Sequence, residues 1–171
     1  MKRKRFHHFL YAILLSFWVA HPLPAELLTD PALGYTIDLP EGFRLVTSRT
    51  GSRFIYQHTL IPVGLQVAIY PYRQFGTVEN AMEHITAQLQ AKKKSIRFLL
   101  QGNPALAANL QFTQHNQKQA GWLLVVPLAE QRGWLAVLTT TQEDKASEYE
   151  PMMISSLDAV FIGRQSFFEP G

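Results

Sequence analysis

Two runs in the last third of the chain, GWLLVVPL (Gly121–Leu128) and GWLAVLTTT (Gly133–Thr141), are apolar at successive positions rather than at alternate ones. Neighbouring side chains of a strand point to opposite faces, so Leu123, Leu124, Val125 and Val126 place hydrocarbon on both. Strands of this kind belong at the centre of a sheet that is covered from both sides. They anchor the expected fold.

Other segments alternate instead. In GYTIDLPEGFRL (Gly34–Leu45), Tyr35, Ile37 and Leu39 share one strand face, and Thr36 and Asp38 share the other. Leu39-Pro40-Glu41-Gly42 suits a reversing turn, because Pro40 presets φ and Gly42 accepts a positive one, and Phe43 and Leu45 resume the alternation. The stretch therefore reads as a hairpin. A second hairpin joins RFIYQHT to VGLQVAIYPY, with Phe54, Tyr56 and His58 matching Leu65, Val67 and Ile69. From Thr77 the period becomes helical, with Val78, Ala81, Met82, Ile85 and Leu89 on one stripe and Glu83, His84 and Gln88 away from it. Thr77 is the expected N-cap, and Lys92, Lys93 and Lys94 are expected at the negative end of the helix dipole. SIRFLL and PALAANLQFT follow, separated by the turn signal Gly102-Asn103-Pro104. TQED resembles a capping box at Thr141. A last helix is expected from about Glu150, with Pro151 in its first turn and Met153, Leu157, Val160 and Phe161 at helical spacing. The order of elements is that of an α+β protein with a predominantly antiparallel sheet flanked by helices.

The N-terminus reads as a secretory signal: MKRKRFHH is cationic, Phe9–Ala20 is apolar, and HPLPA supplies helix breakers and a small residue. As a helix the apolar run reaches about 18 Å against a hydrocarbon core of about 30 Å. Cleavage is expected after Ala25; Leu23, larger than the preferred residue three positions in from the cut, leaves an uncleaved, anchored form as the alternative. The expected division is a signal at 1–25 and one domain at 26–171, with its core at 33–162 and a frayed tail. The cut would remove Lys2, Arg3, Lys4 and Arg5. Of 16 Lys and Arg against 13 Asp and Glu, 12 against 13 remain, and the net charge of +3 becomes −1. The basic balance thus belongs to targeting and gives no reason to expect a nucleic-acid surface. With no cysteine in the chain, neither disulfides nor a lipidated Cys can hold the protein in its compartment. A periplasmic or secreted location is expected, with no membrane span once the signal is cut.

Three motifs together are similar to the PsbP/Mog-type superfamily. GYTIDLPEGF resembles its aromatic and aliphatic strand closed by Pro-x-Gly-Trp, QGNPALAANLQF resembles its Gly-x-Pro-Ala strand entry, and YEPMMISSLDAVF resembles its closing Tyr-x-Pro helix. Phe43 stands where Trp is usual, and DAVF replaces DSF at Asp158–Phe161; both are packing positions. The resemblance implies an α/β/α sandwich spanning Leu33 to Phe161 and a small non-enzymatic module. Photosystem II extrinsic proteins, Ran-binding Mog proteins and bacterial DcrB-like envelope proteins share this fold and differ in partner.

No motif for bond chemistry stands out. His58, His84 and His115 are the bases available after residue 25, and no Gly-x-Ser-x-Gly elbow surrounds any serine. His58 reads as a hydrogen-bonded strand-end residue, His84 as a solvated one, and His115 as part of a polar hairpin loop. Without His-x-x-x-His or Glu-x-x-His spacing, no metal site and no cofactor are expected. Glu143, Asp144, Glu148 and Glu150 read as helix-dipole and solubility residues, with weak cation binding as the alternative. The Lys92–Lys94 run reads as a solvated terminus, with an acidic partner or anionic lipid as the alternative. IYPYRQF is the candidate partner surface, because Tyr70, Tyr72, Arg73 and Phe75 are the aromatic and Arg anchors that interfaces favour; the competing reading has Tyr70 and Phe75 closing the core under the helix. The functional expectation is a non-enzymatic, exported binding or assembly module of the bacterial cell envelope acting on an envelope protein. The alternative is a carrier of a small apolar ligand or lipid in a sheet-helix cavity lined by Met82, Ile85, Met153 and Leu157.

Overall fold

The computed structural model describes residues 26–30, 32–49, 53–100 and 102–163. The expected signal segment and the tail after Gly163 lie outside the described residues.

The doubly apolar runs are the middle of the molecule. β8 (Gln117–Pro127) and β9 (Trp134–Gln142) pair antiparallel inside a seven-stranded sheet. Its order is β3 (Phe43–Arg49), β4 (Arg53–His58), β5 (Gly64–Tyr70), β9, β8, β7 (Asn103–Gln114) and β6 (Lys92–Leu100). Leu124, Val126, Leu135 and Val137 join one buried cluster, while Leu123, Val125, Ala136 and Leu138 join another on the opposite face. Each strand thus feeds two cores, as successive apolar residues require.

Helix α1 (Val78–Gln88) closes one face over β7 and β8. Its stripe of Val78, Ala81, Met82 and Ile85 is buried, and the Thr77 hydroxyl accepts from the Asn80 amide at 3.2 Å, the expected N-cap. The other face is closed by α2 (Ala146–Asp158) over β8 and β9, together with a second, three-stranded sheet. That sheet has the order β1 (Glu26–Asp30), β2 (Tyr35–Leu39), β10 (Val160–Ile162), all antiparallel. The result is an α/β/α sandwich on a predominantly antiparallel sheet, and among the described residues no helix is long and apolar enough to cross a membrane.

Several sequence expectations are corrected. The stretch Gly34–Leu45 is no hairpin: β2 pairs with β1 and β10, whereas β3 crosses into the large sheet and pairs with β4. The Pro40–Gly42 turn carries the chain from one sheet to the other, with Gly42 at φ +95°. Thr36, expected on the polar face, is buried because its hydroxyl pairs with that of Thr29 at 3.1 Å on β1. Strand β1 lies ahead of residue 33. Lys92–Lys94 begin strand β6 rather than end α1, which stops at the Leu89 C-cap before a left-handed turn at Gln90. Lys93 reaches back to Glu83 at 2.5 Å. Thr141 caps no helix; it sits in β9 and donates to the Pro62 carbonyl at 2.8 Å. α2 starts at Ala146, so Pro151 lies inside it, and the carbonyl left without a donor belongs to exposed Ser147, where water can serve it. The helix ends before Val160 and Phe161, which form β10 on the edge of β2.

Candidate binding surface

The segment singled out in the sequence, Tyr70 to Phe75, carries the chain from β5 over the end of the sheet into α1. Pro71 leads a single 3-10 turn at Tyr72–Gln74, and Gly76 at φ +72° re-aims the chain toward the Thr77 cap. The Tyr72 ring lies flat on Trp134, with centroids 5.1 Å apart and planes 4° from parallel. The Trp134 indole N–H donates to the Tyr72 carbonyl at 2.9 Å, so one buried aromatic fixes both the backbone and the ring of its half-exposed neighbour. Tyr70 packs against Phe75 at 5.4 Å. The four residues divide: Phe75 is buried in the α1 core, Tyr70 and Tyr72 are half-buried, and Arg73 is exposed.

Tyr70 also stands at the mouth of an open cleft of about 270 Å³ between α1 and the sheet. Arg53, Gln66, Ala68, Gln88 and Gln114 line it with Tyr70. A second cleft of about 220 Å³ shares Gln66 and Gln114 and runs on past Gln57, His115 and Thr140. The two form a trough whose described lining has amides and an arginine but no carboxylate. Sequence inspection missed these glutamines, because an isolated Gln on a strand carries no motif; only their convergence from β4, β5, β7 and α1 makes a lining.

The histidines are apart. His58 ends β4 and its Nδ1 accepts from the Leu60 and Ile61 amides at 3.1 and 3.3 Å, while its ring stands edge-on to Phe43. It is a turn cap. His84 rests on Phe75 and meets the Gln88 amide at 2.9 Å. His115 occupies the tight β7–β8 turn at φ +49°. Met82 and Ile85 lie in the α1 core, whereas Met153 and Leu157 lie in the α2 core across the sheet, so the four do not line a common cavity.

Among the described residues a large perturbation of acidity falls on one tyrosine. Tyr35 on β2 is pushed up to about 12 by burial first, then by Asp30 and Tyr56. It serves the small sheet rather than the trough.

The layer order, strand order and covering helices define a protein of the PsbP/Mog-type fold. Among solved structures, cyanobacterial PsbP from Synechocystis superposes with a TM-score of 0.61 at 13% identity, covering 87% of this chain and 99% of that one. The Ran-binding protein Mog1p of Saccharomyces cerevisiae superposes at 0.56 with 10% identity over 86% and 100%. A Pseudomonas aeruginosa protein of unknown function does so at 0.52 with 11% identity over 83% and 99%. No protein-family profile and no curated sequence matches this chain. At these identities the likeness establishes the fold alone.

Proposed function

We propose that this protein is an exported, non-catalytic binding or assembly module of the bacterial envelope, and that it engages a protein partner through the end of the molecule bearing Tyr70, Tyr72, Arg73 and Phe75. The observation that carries this reading is the Tyr72–Trp134 stack beside exposed Arg73. An aromatic already immobilised by a buried neighbour loses little further freedom when a partner covers it. Aromatic and Arg side chains of this kind are the residues that dominate interface energetics. Phe75 would act from beneath, holding Tyr70 in place. The cationic, apolar N-terminus supports export, and the likeness to Mog1p, itself described as Ran-binding, supports a fold suited to protein contacts.

The test is a photo-crosslinking amino acid placed at position 73 in the native host. A discrete protein adduct in the envelope fraction that weakens at least several-fold with Tyr72→Ala is the expected result. Recovery of lipid alone, or an adduct indifferent to Tyr72→Ala, would overturn the reading.

A further inference from the structure

We infer that the trough on the α1 side of β3, β4 and β5 docks an extended, acidic polypeptide segment, an inference that rests on the binding-module reading above. The fold leaves this quadrant open. α1 covers β7 and β8, while α2 and the small sheet occupy the opposite face. On that side α1 flanks β4 and β5: Ile85, Gln88 and Leu89 line the cleft that Arg53, Gln66 and Ala68 line from the sheet.

The register decides what the open quadrant presents. Arg44 stands opposite Gln57 on β4, and Arg53, on the same strand as Gln57, stands opposite Ala68, so two arginine positions fall on adjacent strands of one sheet face. Arg44 and Arg53 are exposed; Ile55, between their levels on β4, and Ala68, opposite Arg53 on β5, are half-buried and supply apolar floor. The charge is segregated rather than an echo of composition. After residue 25 the chain carries 12 Lys and Arg against 13 Asp and Glu, and Glu148 and Glu150 sit on α2 on the far side of the sheet. A trough lined by Arg53, with Arg44 exposed on the same sheet face, is complementary on this nearly neutral body to carboxylates, to which a guanidinium fork donates a bidentate pair of hydrogen bonds.

Shape selects a peptide over a membrane surface. One cleft runs between α1 and β4–β5 and the other between β4–β5 and the tip of the β7–β8 hairpin, a pair of grooves that fits a narrow chain better than a flat bilayer. Gln66 and Gln114 offer both donors and acceptors to a peptide backbone's alternating N–H and C=O groups, while Gln57 already donates to the Val63 carbonyl at 3.1 Å. An extended segment repeats its side chains on one face every second residue, about 7 Å apart, so acids at alternate positions could follow the arginines while its backbone meets the amides.

The experiment uses the purified protein and three probes: a fluorescein-labelled peptide alternating Glu and Ser, its Gln-Ser counterpart, and phosphatidylglycerol vesicles. At low salt the acidic peptide should bind at least ten-fold more tightly than the neutral one and weaken with added salt. Arg44→Gln with Arg53→Gln should reduce that binding ten-fold or more with an unchanged thermal midpoint. Lys118→Gln, whose cation meets Glu143 at 3.7 Å in another region, should leave it unaltered. Equal affinity for both peptides, full binding by the arginine double variant, or binding of vesicles without binding of the acidic peptide would each overturn the inference. A position-73 adduct formed at full yield in the arginine double variant would also overturn it while leaving the binding-module reading intact.

Discussion

Replacing Gly121 by alanine tests whether the β8–β9 ladder is the rigid centre of the fold. Gly121 faces Leu110 on β7 and Thr140 on β9. A methyl carbon there would fall on the carbonyl oxygen of Thr139, with the Thr139 carbonyl carbon at 3.2 Å and Thr140 Cα at 3.4 Å. All of these are backbone atoms of the paired strand, so no rotamer change makes room. Relief requires β8 and β9 to part in a region where both faces are packed. Overpacking a core of this kind costs about 1–3 kcal/mol. A ladder group left buried without its partner costs about 1–3 kcal/mol more. The expected destabilisation is therefore about 3 kcal/mol, or roughly a 10 °C fall in thermal midpoint for a domain of this size. Urea unfolding followed by tryptophan fluorescence, with Trp122 and Trp134 on the affected strands, should show a lower midpoint at unchanged slope. Gly64→Ala is the internal control, because its nearest neighbour is the Thr140 hydroxyl at 3.1 Å, a side-chain atom that can turn away. A Gly121→Ala protein within about 0.5 kcal/mol of the parent, or no less stable than Gly64→Ala, would refute the reasoning, since that is the scatter of neutral substitutions.

Alkaline pH should expose the burial of Tyr35. Between its ordinary value near 10 and about 12 the unfolded chain gives up the phenolic proton while the folded chain keeps it, so stability is full below pH 10 and falls as pH rises, by roughly 3 kcal/mol once both values are passed. Tyr35→Phe should flatten this decline, and an unchanged decline in that variant would show that the burial is not responsible. Gly42→Ala should cost about 2 kcal/mol or more by chemical denaturation, because the site has φ +95° and a methyl there would meet the imidazole of His58. Pairing it with His58→Ala should recover the steric part and leave the backbone part, which a double-mutant cycle reads directly. Thr77→Ala should remove the Asn80 contact and cost about 1 kcal/mol, whereas Thr77→Asp should stay near the parent in thermal melts.

What was legible in the sequence was whatever a local period encodes. The both-faced runs placed β8 and β9 at the centre, and the stripe from Val78 to Ile85 with its Thr77 cap placed α1. What was not legible was partner choice. Gly34–Leu45 shows two alternating segments and a reversal, but nothing local says that β2 pairs with β1 and β10 while β3 enters another sheet. Strands as short as Val160–Ile162 complete a helical count as readily as they start an extended one, and only the open edge of β2 decides between them. Pro151 misdirected the start of α2, since an interior proline is tolerated where the orphaned carbonyl is exposed and Met153 and Leu157 bury the rest. In the Tyr70–Phe75 segment the inward turn of Phe75 matches the core-closing alternative, whereas the Tyr72 stack on Trp134, far along the chain, carried no local signal.

The limit of α1's cover can nevertheless be traced in the strands themselves. Across β8 and β9 both faces are apolar, and both are packed. In β5 the pattern changes: Leu65 and Val67 point to the α2 core, while Gln66 and Ala68 point to the α1 side and are only half-buried. In β4 it changes further, with Phe54 and Tyr56 facing the core and Arg53, Ile55 and Gln57 opposite them. The sheet therefore grades from doubly apolar to singly apolar between β9 and β4, and the place of that change is the flank of α1. Adding a second helix to that side would bury Arg53 and Gln57 away from water at a cost of several kcal/mol. The same alternation that forbids a permanent cover of this chain's own making leaves a polar, cationic face that a partner's acidic segment can satisfy and release, and a fold with both cores filled has that face to offer for recognition.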